Sequence, residues 1–212
     1  MSGGTVALVP IRSLTGGKTR LAGAVDAEAR AELTRLMLAN VLRAMGDTAG
    51  IDAVVVVSPD PAALLLAAEM LPAVQRLAQP IDDLGLLPAL EIGRSHALGL
   101  AADALMIVFG DLPRLAASDL EALLAPPVAV VLAPDRARTG TNALLLRGSA
   151  VAAFPFRFGE RSFPAHVDES WGLGVDPAVV ERDGLAFDLD TPGDLALLPT
   201  TMAMTVPWRA AS

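Results

Sequence analysis

The chain has 212 residues, 53% of them hydrophobic and 19% charged, which provides for one packed α/β domain and excludes a disordered chain. A formal net charge of −8 argues against nucleic acid or an anionic membrane as partner, so any phosphate site must rest on local cations or metal. Cysteine is absent, which excludes disulfides, zinc–thiolate sites and thiol catalysis.

The opening MSGGTVALVPIRS has no basic region followed by a long apolar run, and no apolar stretch is long enough to span a bilayer, so the expected location is cytoplasmic. Thr5–Pro10 reads as a buried strand, and Ile11–Gly23, rich in Gly and cations, as a loop. Asp26–Met45 predicts an amphipathic helix with Asp26 as its cap and Leu33, Leu36, Met37, Val41 and Met45 on one face. Ala53–Val57 is a second strand, and Asp60-Pro61 starts a second helix. A short strand at Val74–Leu77, a helix over Ala89–Ala102 and a strand over Leu105–Phe109 follow. Ser118 and Glu121 suggest a capping box for the next helix. Val128–Leu132 and Ala143–Leu146 read as strands, Phe154–Trp171 as irregular, and Leu185–Leu189 as a last strand. Thr191-Pro192-Gly193-Asp194 caps a final helix, and the tail after Thr200 reads as loose.

Strands alternating with helices predict a single α/β domain over residues 1–212: a mainly parallel sheet with helices on both faces. In such sheets ligands sit beyond the carboxyl ends of the strands, so the residues just after each apolar run are the candidates. Gly16 and Gly17 can turn the backbone around an anion, with Lys18 and Arg20 adding charge, although the Walker A spacing is absent. The alternative is a solvated loop. Asp111 in Gly110-Asp111-Leu112-Pro113 follows a buried strand and could hold a hard cation or merely shape a turn. Asp188 and Asp190, two apart, would share one side of a strand and favour a divalent ion, Mg²⁺ beside phosphates, unless Asp190 begins the turn. Asp135–Asn142 reads as a recognition loop or an ordinary hairpin. Arg157–Phe163, with Ser162 and two arginines, could grip a phosphate or carboxylate. His166, one of two histidines, reads more readily as structural or exposed than as catalytic.

GGKTRLA, GDLP, Thr-Gly-Thr-Asn-Ala, Phe-Gly-x-x-Ser-Phe-x-x-His and Asp-x-Asp-Thr-Pro-x-Asp-Leu occur in that order over roughly residues 5–196. Together they resemble the guanylyltransferases that build the phospho-acid arm of the deazaflavin coenzyme F-420. The resemblance implies a nucleotide-diphospho-sugar transferase-like fold and GMP transfer from GTP onto phosphoenolpyruvate, 2-phospho-L-lactate or 3-phospho-D-glycerate, with release of pyrophosphate. It implies Gly16, Gly17 and Lys18 on the nucleotide, and Lys18, Arg20 and Asp111 as catalytic groups. It further implies Mg²⁺ on Asp111, Asp188 and Asp190, and the acceptor on Thr141, Asn142, Gly159 and Ser162. The chain departs from that pattern in Gly85-Leu86-Leu87-Pro88-Ala89-Leu90, where relatives carry Asn at the position of Leu87. A molybdenum-cofactor or sugar-phosphate nucleotidyltransferase, and a catalytically silent nucleotide-binding module, are the competing readings. The apolar content also leaves room for a homodimer face.

Overall fold

A computed structural model describes residues 3–203. Its strands are β1 (Thr5–Pro10), β2 (Ala53–Ser58), β3 (Gln75–Ala78), β4 (Ala104–Val108), β5 (Val130–Pro134), β6 (Thr141–Arg147) and β7 (Ala178–Val179). They form one sheet in the order β3-β2-β1-β4-β6-β5-β7. The helices are α1 (Ala27–Asp47), α2 (Pro61–Met70), α3 (Leu86–Gly99), α4 (Ala117–Leu124), α5 (Ala150–Ala153), α6 (Ser162–Gly172), α7 (Asp183–Ala186), α8 (Pro192–Leu195) and α9 (Thr200–Ala203).

The strands are apolar on both sides because helices cover both faces. In β1, Ala7 and Val9 join a core under α1, α2 and α4, while Val6 and Leu8 join one under α3, α5 and α6. A smaller cluster lies beside α1: Leu21, Val25, Leu33 and Met37 bury against Phe187, Leu189 and Leu195. It seats the chain around residues 187–190 against the loop that follows β1.

Two features of the topology place the site. Chain order runs outward from β1 through β2 to β3, then returns to β4 on the other side of β1. The loops after β1 and β4 therefore part company at that point and leave a crevice at their carboxyl ends. In addition, β6 is antiparallel to both of its neighbours, with Ala143 opposite Val108. Its first residues, Thr141 and Asn142, consequently lie at the same edge as the end of β4.

The mainly parallel sheet and most boundaries follow the expectation, and several segments do not. Phe154–Trp171 is not irregular throughout, because α6 occupies Ser162–Gly172 with Phe163, His166 and Ser170 buried along one stripe. The expected helix at 89–102 begins earlier, at Leu86. Leu185–Leu189 is not a strand: α7 ends at Ala186, and the extended stretch beyond it makes a single backbone bond to the sheet loop, Leu189 N–H to the Asp111 carbonyl at 3.3 Å. The Ser118/Glu121 capping box is absent because α4 starts at Ala117; Asp119 instead reaches back to the Ala116 N–H at 3.1 Å. Thr200–Ala203 is a helical turn, and the rest of the expected loose tail lies outside the described residues.

Candidate active site

The loop after β1 is held from below. The Asp60 carboxylate caps α2 through the Ala62 N–H and also accepts from Ser13 Oγ (3.2 Å) and the Leu14 N–H (3.0 Å). Burial alone would raise its pKa, but these donors outweigh that and hold it below the ordinary carboxylate value. The loop then reaches Lys18, which takes left-handed backbone angles (φ 55°, ψ 38°). This conformation directs the side chain across the crevice.

The Lys18 ammonium donates to Asp111 Oδ2 at 2.6 Å and to Asp190 Oδ1 at 3.0 Å. Arg20 reaches the other oxygen of Asp190 at 3.2 Å. Burial by itself would lower the Lys18 pKa; the two carboxylates outweigh it and keep the ammonium charged above its usual value. Asp188 sits beside them with its pKa raised, first by burial and then by the charges of Asp111 and Asp190. Three acids from distant parts of the chain thus converge, and one protein cation stands between two of them.

Among the described residues, no three acidic, imidazole or thiol side chains are already closed into a metal cage. The donor set nevertheless suits a hard divalent ion. It is all carboxylate oxygen, it already attracts a cation in the form of the Lys18 ammonium, and it leaves ligand positions for water and substrate oxygens.

Three lobes of one cleft meet at Phe109. The first, of about 390 Å³, is lined by Arg12, Gly17, Lys18, Arg20, Asp111 and Asp190. The second, of about 550 Å³, is largely apolar, between Pro10, Ile11, Pro59, Leu84, Leu86 and Ala89, with Gln79 at its wall. The third, of about 290 Å³, holds Thr141, Asn142, Gly159, Ser162, Asp188 and Asp190.

Most of the candidates therefore gather in one place. Gly16 does not line the cleft, because its N–H turns back to Ser13 Oγ at 3.3 Å. Asn142 lines the third lobe, but its amide nitrogen holds the carbonyls of Leu185 (3.0 Å) and Ala186 (3.4 Å) and so anchors the strand-like segment that carries Asp188. The nearby arginines are committed elsewhere: Arg136 to Asp194, Arg138 to Glu181 and Arg157 to Glu169. The cations left facing the cleft are Arg12, Lys18 and Arg20.

The sequence places Asp194 only in a helix cap and a motif, and Phe109 only at a strand end, with no role in the site for either. Asp194 accepts from the Asp190 N–H (3.1 Å), from the Thr191 N–H (2.7 Å) and hydroxyl (2.8 Å), and from Arg136 (2.5 Å). Its Asp-x-x-x-Asp spacing from Asp190 was visible, but its link to Arg136 was not. Phe109 ends the β4 apolar run and packs edge-on against Phe158, with ring centroids 5.3 Å apart.

A doubly covered sheet with a glycine-cation turn and converging acids at its strand ends is the arrangement of a nucleotidyltransferase, and solved structures share its fold. It superposes with a TM-score of 0.73 on a putative nucleotide-diphospho-sugar transferase from Desulfovibrio desulfuricans, at 18% identity, covering 95% of this chain and 88% of that one. A nucleotidyl transferase from Methanothermobacter gives 0.67 at 17% identity, covering 95% and 99%. The family model for "Guanylyl transferase CofC like" proteins matches residues 5–200, and the chain belongs to that guanylyltransferase family. It is 46% identical over 196 residues to a phosphoenolpyruvate guanylyltransferase of Rubrobacter xylanophilus, covering 91% of this chain and 92% of the relative. A 2-phospho-L-lactate guanylyltransferase of Methanothrix thermoacetophila is 34% identical over 190 residues, covering 89% and 80%. No helix among the described residues is long and apolar enough to cross a membrane.

Proposed function

We propose that this guanylyltransferase moves GMP from GTP onto phosphoenolpyruvate, releasing pyrophosphate, in the assembly of the phospho-acid arm of coenzyme F-420 in the cytoplasm. The reading is carried by one observation: the Lys18 ammonium bridges Asp111 and Asp190 at the junction of a cation-lined lobe and a hydroxyl-lined lobe. The choice of acceptor follows the relatives, among them the chain from Sphaerobacter thermophilus, a phosphoenolpyruvate guanylyltransferase 40% identical over 193 residues.

An oxygen of the acceptor's phosphate attacks the α-phosphorus of GTP; the bond from that phosphorus to the bridging oxygen breaks, and pyrophosphate carries the electron pair away. A phosphate is already a nucleophile near neutral pH, so no side chain has to remove a proton. The protein's task is to position the two anions in line and to neutralise them. Lys18 and Arg20 face the leaving pyrophosphate, and Thr141 and Ser162 hold the acceptor acid. Asp111, Asp188 and Asp190 would hold Mg²⁺. When bound, the metal supplies charge neutralisation at the crowded phosphate oxygens. The apolar second lobe accepts the base.

Incubating the protein with GTP, Mg²⁺ and each three-carbon phospho-acid, and identifying the product by mass, tests the assignment. The enolpyruvyl diphosphate of guanosine is expected, and a product with phospholactate or phosphoglycerate alone would replace the acceptor. Asp111→Asn and Asp188→Asn should each lower turnover about 10²-fold or more, the scale of losing one key electrostatic group, while circular dichroism stays native. Near-wild-type turnover in both variants would remove the metal assignment.

A further inference from the structure

His166 lies on α6 with no solvent exposure, its ring packed edge-on against Phe158 at 4.6 Å and tilted against Phe154 at 5.7 Å. Both ring nitrogens have partners. The Arg157 N–H donates to Nε2 at 3.0 Å, and Nδ1 lies 2.9 Å from Thr141 Oγ1. A peptide N–H can only donate, so Nε2 must offer a lone pair. A neutral imidazole carries its one proton on the other nitrogen. Nδ1 is therefore the donor, and the Thr141 hydroxyl oxygen accepts. Burial, and then the charge of Arg157, pushes the His166 pKa down to about 4, so the ring stays neutral over the working range.

The consequence falls on Thr141. Its oxygen is occupied as an acceptor, and its own proton has no acceptor among the described residues. Ser162 is in the same state: its oxygen accepts from the Thr141 N–H at 2.9 Å, which leaves its proton free. Both residues line the third lobe beside Asp188 and Asp190. Two buried hydroxyls thus line the lobe, each with one of its two acceptor sites filled and its proton unmatched, which suits an anionic oxygen.

We propose that His166 is a positioning residue that sets Thr141 as a hydrogen-bond donor to the carboxylate of the acceptor acid. The inference rests on the acceptor occupying this lobe, as in the reaction above. His166 does not touch the reacting atoms; it acts through the direction of the Thr141 proton. The same tautomer rules His166 out as a general base toward substrate, since both nitrogens are committed to the protein.

Two amide substitutions separate this role from simple packing. In His166→Asn the side-chain amide sits near the Nδ1 position and can still donate to Thr141. In His166→Gln it reaches toward the Nε2 position, where it can accept from Arg157 and leaves Thr141 without its donor. The expected result is an acceptor KM within about threefold of wild type for His166→Asn and about tenfold higher for His166→Gln, the loss of one net hydrogen bond. The KM for GTP should stay within about twofold in both. Equal acceptor KM values in the two variants, or a matching rise in the KM for GTP, would overturn the assignment. Nitrogen-15 shifts of the imidazole in the wild-type protein provide a check that needs no variant to fold: they should show the proton on Nδ1, and a proton on Nε2 would sink the proposal. A wild-type enzyme that guanylylates no three-carbon acid would instead refute the reaction, a result distinct from wild-type activity paired with an indifferent His166→Gln.

Discussion

His166 shows how far a single residue can be read without its neighbours. Its sequence context, Phe-Gly-x-x-Ser-Phe-x-x-His, marks it only as belonging to a motif, and the structural reading was the better one from residue type alone. What no sequence pattern reveals is the N–H of Arg157, nine residues back, which decides the tautomer. The same burial has a consequence for stability. In the unfolded chain this imidazole takes up a proton near pH 6.5, whereas the folded protein resists until about pH 4. Between those values the unfolded state binds more protons, so stability is complete above about pH 6.5 and falls as the pH drops toward 4. The full interval corresponds to about 3 kcal/mol. Denaturant unfolding at several pH values should show a smaller loss for His166→Gln than for wild type over this window. Parallel curves for the two proteins would mean that His166 is charged in the folded state. The other charged groups, among them the Arg157–Glu169 pair beside the ring, are common to both proteins and cancel in the difference.

At the scale of elements, an acid just before an apolar run marked a helix start, whereas the Ser118/Glu121 pair and the run at 185–189 did not form the elements expected of them. Asp26 before α1 and Asp60-Pro61 before α2 both cap as their sequences require. Pro88 and Pro164 each stand at the third position of their helices, where the N–H that proline lacks would have had no intrahelical partner. Apolar alternation over 185–189 suggested a strand, but Phe187 and Leu189 alternate because they bury beside α1, not because they pair in the sheet. The segment is held by Asp194 instead, from the far side of the Thr191-Pro192-Gly193 turn. Arg136, which binds Asp194, also lies over the Phe187 ring at 4.6 Å, and Arg114 lies over it at 4.3 Å. Burial would raise the Asp194 pKa, but the Arg136 and Thr191 donors outweigh it and keep the carboxylate ionised. Asp194→Ala should cost about 2–4 kcal/mol, because it strands Arg136 and the amide groups of Asp190 and Thr191. With Asp190 no longer held, kcat/KM should also fall about 10–100-fold at temperatures where the variant is fully folded. A destabilised variant with unchanged kcat/KM would show that Asp190 is placed by other contacts.

For the whole molecule, fold class was legible because the strand–helix alternation repeats, whereas strand direction was not. The run in β6 looks like those in β1 and β4, and only the short 135–140 connection hinted at the hairpin that brings Thr141 and Asn142 to the active edge. Charge operates at this scale too. The chain carries −8 overall, and in the cleft Arg12, Lys18 and Arg20 meet Asp111, Asp135, Asp188 and Asp190. Three cations already outnumbered by four acids cannot by themselves accept a triphosphate, so GTP binding should depend on added divalent ions. Removing one acid should then have opposite effects in the two conditions. Two like charges about 5 Å apart at an effective dielectric near 20 repel by about 3 kcal/mol, and salt screening leaves roughly half of that. In EDTA, Asp111→Asn should therefore bind GTP about 10–20-fold more tightly than wild type, because a repelling carboxylate is gone and Lys18 is released toward the phosphates. With Mg²⁺ present the order should reverse by at least about tenfold, since the variant has lost part of the seat for the ion. Calorimetric titration of both proteins in both buffers reads the two signs directly. If Asp111→Asn weakens binding equally with and without the metal, Asp111 contacts the nucleotide or shapes its pocket, and the acids at the strand ends are not a cation seat.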